Sequence, residues 1–378
     1  VTITADMNIL LAPDKFKGAF SAERVCELMA SGIRKALPEA NIVSCPIADG
    51  GDGFTEVLKL ALAGEWVRCE VHDAIGRPVK ARYALCGDTA VMEMSEASGI
   101  RHIPEDLRDI WRANTYGTGE LMRHAIEKQG VRRIIMGIGG SVSNDAGCGM
   151  AAALGIQFFD YRGAVLRTTP KELMQCVTID RSQAIALPEI LVACDVDNAL
   201  LGPHGAVEVY APQKGASKAD LKPLELLLER IVYVADGRET SIVPGAGAAG
   251  GLGFGLVQFC GASLISGFDL LAREIELTEK IRACDVVITG EGKLDEQTLR
   301  GKGPAGVARI AKQMGKEVAV IAGLVELANT ELTDLFDHIC ELHDPSRSLE
   351  QTIEHGEPLL AKKAAELAVV LQRQSEVI

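Results

Sequence analysis

The sequence predicts an α/β protein built on mostly parallel sheets and divided into two domains. Short β-branched runs such as residues 131–136 and 189–193 alternate with amphipathic helical stretches. The segments that follow these runs are rich in glycine and short polar residues, as strand-to-helix connections are. The chain has 378 residues, more than one ordinary core accommodates.

Composition narrows the function. Hydrophobic residues are 47% and charged residues 24%, ordinary for a soluble globular protein. Glycine is abundant at 39 and aromatics are scarce at 4%, which suits many βα turns and leaves little surface for stacking bases. A formal net charge of −13 argues against nucleic acid and anionic membranes as partners. It leaves room for a phosphate ligand, because local lysines and backbone dipoles override the global sign. Ten cysteines with no Cys-x-x-Cys pair lack the zinc and thioredoxin-like spacings. Most lie in apolar runs, and no secretory leader precedes them, so reduced thiols in a cytoplasmic protein are expected. Residues 241–268 carry no charge and are long enough to cross a bilayer, but their glycines and Pro244 read better as a buried loop and helix.

Taken in order, residues 8–13 form a first buried strand and Asp14-Lys15-Phe16-Lys17-Gly18 its exit. Ser21 caps a helix that Pro38 ends. Lys15 and Lys17 stand just ahead of that helix N-terminus, where they oppose its dipole and either hold an anion or are simply solvated. Residues 41–47 form the second strand. It exits into a segment where Asp49 and Asp52 lie among three glycines, suited to Mg²⁺ or to orienting a hydroxyl, or to a turn and N-cap. From Trp66 the βα rhythm breaks into short alternating strands at 66–72, 79–86 and 90–94, which places a domain boundary near Asp73. A helix follows over 116–128, with Gly130 as its C-cap.

Residues 137–149, Gly-Ile-Gly-Gly-Ser-Val-Ser-Asn-Asp-Ala-Gly-Cys-Gly, join a strand to a helix. A plain turn capped by Ser143 or Asn144 would need fewer glycines and fewer short polar residues. Gly139, Gly140, Ser141, Asn144 and Asp145 are therefore candidates for an anion or phosphate site. The strand at 189–193 exits into Asp195 and Asp197, two apart and on one side of an extended segment. They suit Mg²⁺ ligation, a base beside a metal, or an Asx-turn cluster. Cys194 just before them reads as packing. Residues 207–210 read as another short strand, leading to Lys214 in a Pro/Gly loop, where it either reaches a phosphate or is solvated. Residues 245–250 match the dinucleotide string Gly-x-Gly-x-x-Gly but follow a poor strand, so they read as a helix start packed close to another backbone. The strand at 284–289 exits into Gly290-Glu291-Gly292-Lys293-Leu294-Asp295. The final segment, 359–371, is an alanine-rich amphipathic helix.

Five such motifs thus recur at strand exits, and parallel sheets bring their exits to one edge. Backbone amides and lysines to hold phosphates, with carboxylates for Mg²⁺ and for accepting a hydroxyl proton, suit phosphoryl transfer. A small-molecule kinase leads from the residues alone. A nucleotide-linked oxidoreductase follows, and a non-catalytic binding module trails.

At residues 12–18, 47–53, 115–120, 137–149, 193–202, 205–215, 244–255 and 288–295 the chain resembles the type I bacterial glycerate kinases, across nearly its whole length from Met7. The family usually has serine where Lys15 stands and glutamate where Asp52 stands. The resemblance implies two Rossmann-like three-layer α/β/α domains, the second inserted into the first, with the active site in the cleft between them. Residues 1–72 and 255–378 would form the first domain and 73–254 the second. It implies ATP- and Mg²⁺-dependent phosphorylation of D-glycerate, usually to 2-phosphoglycerate, with the 3-phosphate as the alternative. On that basis Asp195 is the expected general base, with Asp49 the runner-up. Lys17 would meet the glycerate carboxylate or a phosphate. Asp197 and Glu291 would hold Mg²⁺, and Lys293 would meet transition-state charge. Lys15, Lys214, Gly290 and Gly292 complete the expected phosphate and substrate contacts. Nothing in the sequence sets the oligomeric state; a homodimer is allowed.

Overall fold

The computed structural model describes residues 7–48, 51, 53–300, 303–326, 330–344, 346 and 349–375. Its strands are β1 (Asn8–Leu11), β2 (Asn41–Ser44), β3 (Glu65–His72), β4 (Pro78–Cys86), β5 (Thr89–Glu93), β6 (Arg133–Gly137), β7 (Gln157–Phe159), β8 (Thr178–Asp180), β9 (Glu189–Ala193), β10 (Ser263–Ile265), β11 (Val286–Leu294), β12 (Glu317–Val325) and β13 (His338–Glu341). The chain forms two compact units. The first combines Val1–Asp49 with Phe268–Ile378; the second is Gly50–Gly267.

The first unit holds a five-stranded parallel sheet in the order β13-β12-β11-β1-β2. Its three central strands, β12, β11 and β1, carry buried apolar runs, as parallel strands covered by helices do. Ile9, Leu11, Val286, Ile288 and Ile321 pack with Val25, Met29 and Ile33 of the helix Ala22–Ala36 and with Leu360 and Leu367 of the helix Gly356–Ser375. Ser21 caps the first of these helices, its hydroxyl accepting from the Arg24 backbone N–H at 3.2 Å.

The second unit holds a six-stranded sheet in the order β10-β9-β6-β5-β4-β3. β10, β9, β6 and β5 run parallel, while β4 is antiparallel to both β5 and β3. The expected boundaries at Asp73 and Gly255 fall inside this unit. The β3–β4–β5 meander that interrupts the βα rhythm is hydrogen-bonded into the sheet, so the change of rhythm marks a change of strand direction within one sheet. The helix Ala248–Cys260 also packs here, through Leu252 and Leu256. A second apolar cluster joins the β7–β8 hairpin to the helix Lys218–Val234 through Phe158, Leu224 and Leu228.

Two elements differ from expectation. Residues 206–210 form a helix, with Val209 N–H bonded to Gly205 and Ala211 N–H to Val207. A β-branched run this short carries no decisive period, and burial of Ala206 and Val207 settles it as helix. β11 does not stop at Thr289 but continues through Gly290–Leu294, paired with Ile321 to Val325 of β12. No helix among the described residues is long and apolar enough to cross a membrane.

Candidate active site

The parallel strands of the second unit end in one row. Glu93 of β5 pairs with Gly137 of β6, Gly137 with Ala193 of β9, and Ala193 with Ile265 of β10. The segments leaving this row are therefore neighbours, and two of them carry the glycine loop and Asp195. Gly139 and Gly140 are exposed, and a Cβ at Gly139 would meet nothing within 4 Å. An anion has open access to the backbone there. The same stretch is pinned from behind: Ile100 N–H donates to Gly140 O at 2.8 Å and Val142 N–H to Ser98 O at 3.2 Å. Ser141, also pinned by a bridge to Gly99, is 9% exposed. Asp195 is exposed, with Oδ1 accepting from Gly267 N–H at 2.9 Å, and Asp197 is exposed beyond it. Burial raises the Cys194 thiol pKa, in keeping with a packing role.

The other half of the loop is interior. Ser143, Asn144 and Asp145 are 0% exposed. Asp145 accepts from Thr115 N–H and Oγ1, each at 2.8 Å, from Gly149 N–H at 3.0 Å and from Gly147 N–H at 3.3 Å. Thr115 Oγ1 in turn accepts from Met150 N–H at 2.9 Å, so the pair together bonds the first amides of the helix Cys148–Ala153. Lys214 is also buried, and its Nζ donates to Ser143 O at 2.8 Å. The expected phosphate contacts of Asn144, Asp145 and Lys214 are thus corrected. As they stand, these side chains have no surface to offer a ligand, and Asp145 and Lys214 hold the loop from inside. The Asn144 amide and the Ser143 hydroxyl have no partner among the described residues. Behind them Gly250 has φ +67°, and a Cβ there would lie 2.0 Å from Ser143 O. The close backbone approach expected of residues 245–250 is thus made against the glycine loop itself.

Burial sets the charge state of this interior pair. It pushes the Asp145 carboxyl up, against four donated hydrogen bonds that pull it down. It brings Lys214 down to about 7, with Asp145 opposing that shift.

In the first unit, Asp14 follows β1, its N–H donating to Gly290 O at 2.8 Å and its Oδ1 accepting from Lys15 N–H at 2.6 Å. Lys15 is half-buried and Lys17 exposed. A Cβ at Gly292 would lie 3.2 Å from Lys17 N, so β11 passes directly under this turn. Gly290 and Gly292 are therefore strand residues backing the Asp14–Gly18 segment and not an exit loop of their own. Glu291 accepts from Thr298 Oγ1 at 2.7 Å. Lys293 is ion-paired to Glu326 at 2.9 Å and Asp295 at 3.2 Å, which together raise its pKa. Asp49, with Gly50 and Asp52, lies outside the described residues. Among the described residues no three His, Cys, Asp or Glu side chains gather as a metal cage.

Sequence reasoning missed two residues. Glu93 ends β5 in the same row as the glycine loop, with Ser95 Oγ donating to it at 3.3 Å. An acid closing a buried strand was its only signal, the same signal that drew notice to Asp195. Thr115, 0% exposed and bonded to Asp145, lies in the 115–120 stretch that carries the resemblance, but nothing there signals its bond to Asp145.

The family model described as the glycerate kinase family matches residues 9–372. The chain is 39% identical over 372 residues to the glycerate kinase of Halalkalibacterium halodurans, covering 96% of this chain and 98% of that one. It is 41% identical over 325 residues to the glycerate 2-kinase of Escherichia coli, covering 84% and 85%. A crystal structure described as a glycerate kinase 2 from Salmonella typhimurium LT2 superposes with a TM-score of 0.89 at 37% identity, covering 98% and 99%.

The buried lysine makes stability depend on pH. Between about pH 7 and the ordinary lysine value, the unfolded chain keeps a proton on Lys214 that the folded chain has shed. The unfolded state then binds more protons, so stability rises with pH through that window, and below it the full cost of burying the ammonium remains. Lys214→Met removes this dependence. Urea unfolding from pH 6.5 to 9.5 should show wild type gaining on the variant by up to roughly 1.4 kcal/mol per pH unit above 7. A constant gap would mean that Lys214 keeps its proton in the folded protein.

Proposed function

Since the chain belongs to the glycerate kinase family, we propose that it transfers the γ-phosphoryl group of ATP to the 2-hydroxyl of D-glycerate, giving 2-phosphoglycerate and ADP. The observation that carries this is the shared row of strand ends in the second unit, where exposed glycine backbone and an exposed, oriented carboxylate leave adjacent strands. The name of the Escherichia coli relative, glycerate 2-kinase, favours the 2-hydroxyl.

In this reading the exposed amides of Gly139 and Gly140 receive phosphate oxygens. Asp195 accepts the proton of the attacking hydroxyl, with its Oδ1 held by the Gly267 N–H. The buried network behind the loop keeps the amides in place, so little reorganisation accompanies charge development. In the first unit, the exposed Lys17 is a candidate contact for an anionic group. Lys293 meets transferring charge only by exchanging one of its two carboxylate partners. Mg²⁺ borne on a nucleotide's phosphates needs only one or two protein carboxylates. Each unit offers a candidate carboxylate of its own, the exposed Asp197 in the second and the half-buried Glu291 in the first. The metal would neutralise charge on the transferring phosphoryl group.

Two measurements test the reading. With ATP, Mg²⁺, D-glycerate and enolase but no phosphoglycerate mutase, phosphoenolpyruvate should form. ADP release that yields phosphoenolpyruvate only after mutase is added would assign the 3-hydroxyl instead. Asp195→Asn should lower kcat about 10²–10⁴-fold with the protein still folded. Near-wild-type turnover would remove Asp195 as the base.

A further inference from the structure

The segment that carries Asp195 leaves β9 with no helix or strand of its own over residues 194–199. Its first anchor continues the β10 pairing, Cys194 N–H donating to Ile265 O at 2.8 Å. Further along, the bonds gather on Asn198. Its Nδ2 donates to His204 O at 2.7 Å, and its Oδ1 accepts from the Tyr210 hydroxyl at 2.6 Å. Its backbone O accepts from Gly247 N–H at 2.9 Å. A side-chain amide suits such a junction because it donates and accepts at once.

Tyr210 belongs to a short block that also reaches the glycine loop. The helix Ala206–Tyr210 runs on into a single turn at Pro212–Lys214, with Lys214 N–H bonded to Ala211 O at 3.0 Å. Ala206, Val207 and Ala211 are 0% exposed and pack with Leu224 and Leu228, so the block is seated in the core as one piece. Two side chains leave it for different segments. Tyr210 meets Asn198 of the acid-bearing segment, and Lys214 Nζ donates to Ser143 O of the glycine loop at 2.8 Å. The two segments start level, because Gly137 pairs with Ala193, and beyond that pairing they are irregular. Gly247 and Gly250 bear on the same two segments, one through its N–H to Asn198 O and the other pressed against Ser143 O.

We propose that Asn198 and Lys214 are positioning residues that clamp the Asp195 segment and the glycine loop to one block, residues 206–214, and so set the distance between them. The inference rests on the reading of Asp195 as the base and of Gly139 and Gly140 as phosphate contacts. A proton acceptor on one segment and a phosphoryl group held on another must stay in register, and a shift of about 1 Å between them is costly to the rate. Neither Asn198 nor Lys214 touches a reactant; each acts through the segment it holds.

Asn198→Ala should lower kcat about tenfold or more while the KM values for ATP and D-glycerate stay within about twofold. Tyr210→Phe, which keeps the ring and removes one bond of the Asn198 amide, should lower kcat about threefold and tests the same link where Asn198→Ala fails to fold. In an Asp195→Asn background Asn198→Ala should cost nothing further, since the group it positions is gone. Wild-type kcat in both single variants, or a loss that multiplies with that of Asp195→Asn, overturns the proposal. Amide hydrogen exchange reads the clamp without any substrate. Asn198→Ala should speed exchange in peptides spanning 194–201 and 245–248, and Lys214→Met in those spanning 141–147, with the helix Ala22–Ala36 unchanged. If Asp195→Asn itself turns over at the wild-type rate, the base lies elsewhere and exchange alone decides the clamp: unchanged exchange in those peptides overturns it.

Discussion

Two buried ionisable side chains hold the interior half of the glycine loop. Lys214 reaches the loop from a distant turn to bond Ser143 O, and Asp145 turns inward to gather four hydrogen bonds. An irregular segment cannot satisfy its own backbone, and inside a protein each unmet polar group costs about 1–3 kcal/mol. Side chains with several donors or acceptors solve that locally. The cost is desolvation of an ammonium and a carboxylate, eased here by their opposite charge and by Lys214 shedding its proton more readily than an ordinary lysine.

The second constraint is register. Parallel pairing puts Glu93, Gly137, Ala193 and Ile265 level, so whatever follows each of them must emerge at the same edge. This is why strand ends were readable from sequence. A buried strand announces itself by a β-branched apolar run, and its exit by glycine and short polar residues. The helix Ala22–Ala36 with its Ser21 cap, and the helix ending at Gly130 with φ +64°, were equally readable, because capping chemistry is local.

What sequence could not show was direction and burial. Asp145 and Asp195 look alike as acids after a strand, yet one is 0% exposed and the other faces solvent. The difference lies in Thr115 and in the helix Cys148–Ala153 folding back on Asp145, contacts made across some thirty residues of chain. Lys214 in a Pro/Gly turn read equally as a phosphate contact or a solvated lysine. Only the packing of Ala206, Val207 and Ala211 around that turn draws it inside. In the first unit, Gly290 and Gly292 looked like loop glycines, whereas β12 offers partners that extend β11 through both. The change to antiparallel pairing at β3–β5 imitated a domain boundary because strand rhythm reports direction, not the membership of a sheet.

The interior brace is complete on one side and incomplete on the other. Asp145 accepts four hydrogen bonds, while the Asn144 amide and the Ser143 hydroxyl find no partner among the described residues. They lie between the exposed glycines, which need to be held, and the left-handed turn at Ala249, Gly250 and Gly251, which presses on them from behind. A left-handed alanine such as Ala249 is itself strained. Strain and missing bonds therefore converge on the loop's middle, while its two ends are pinned by Ser98 and Thr115. Pinning on either side therefore confines the strain and the unmet bonds to Ser143 and Asn144 and keeps both away from the exposed glycines.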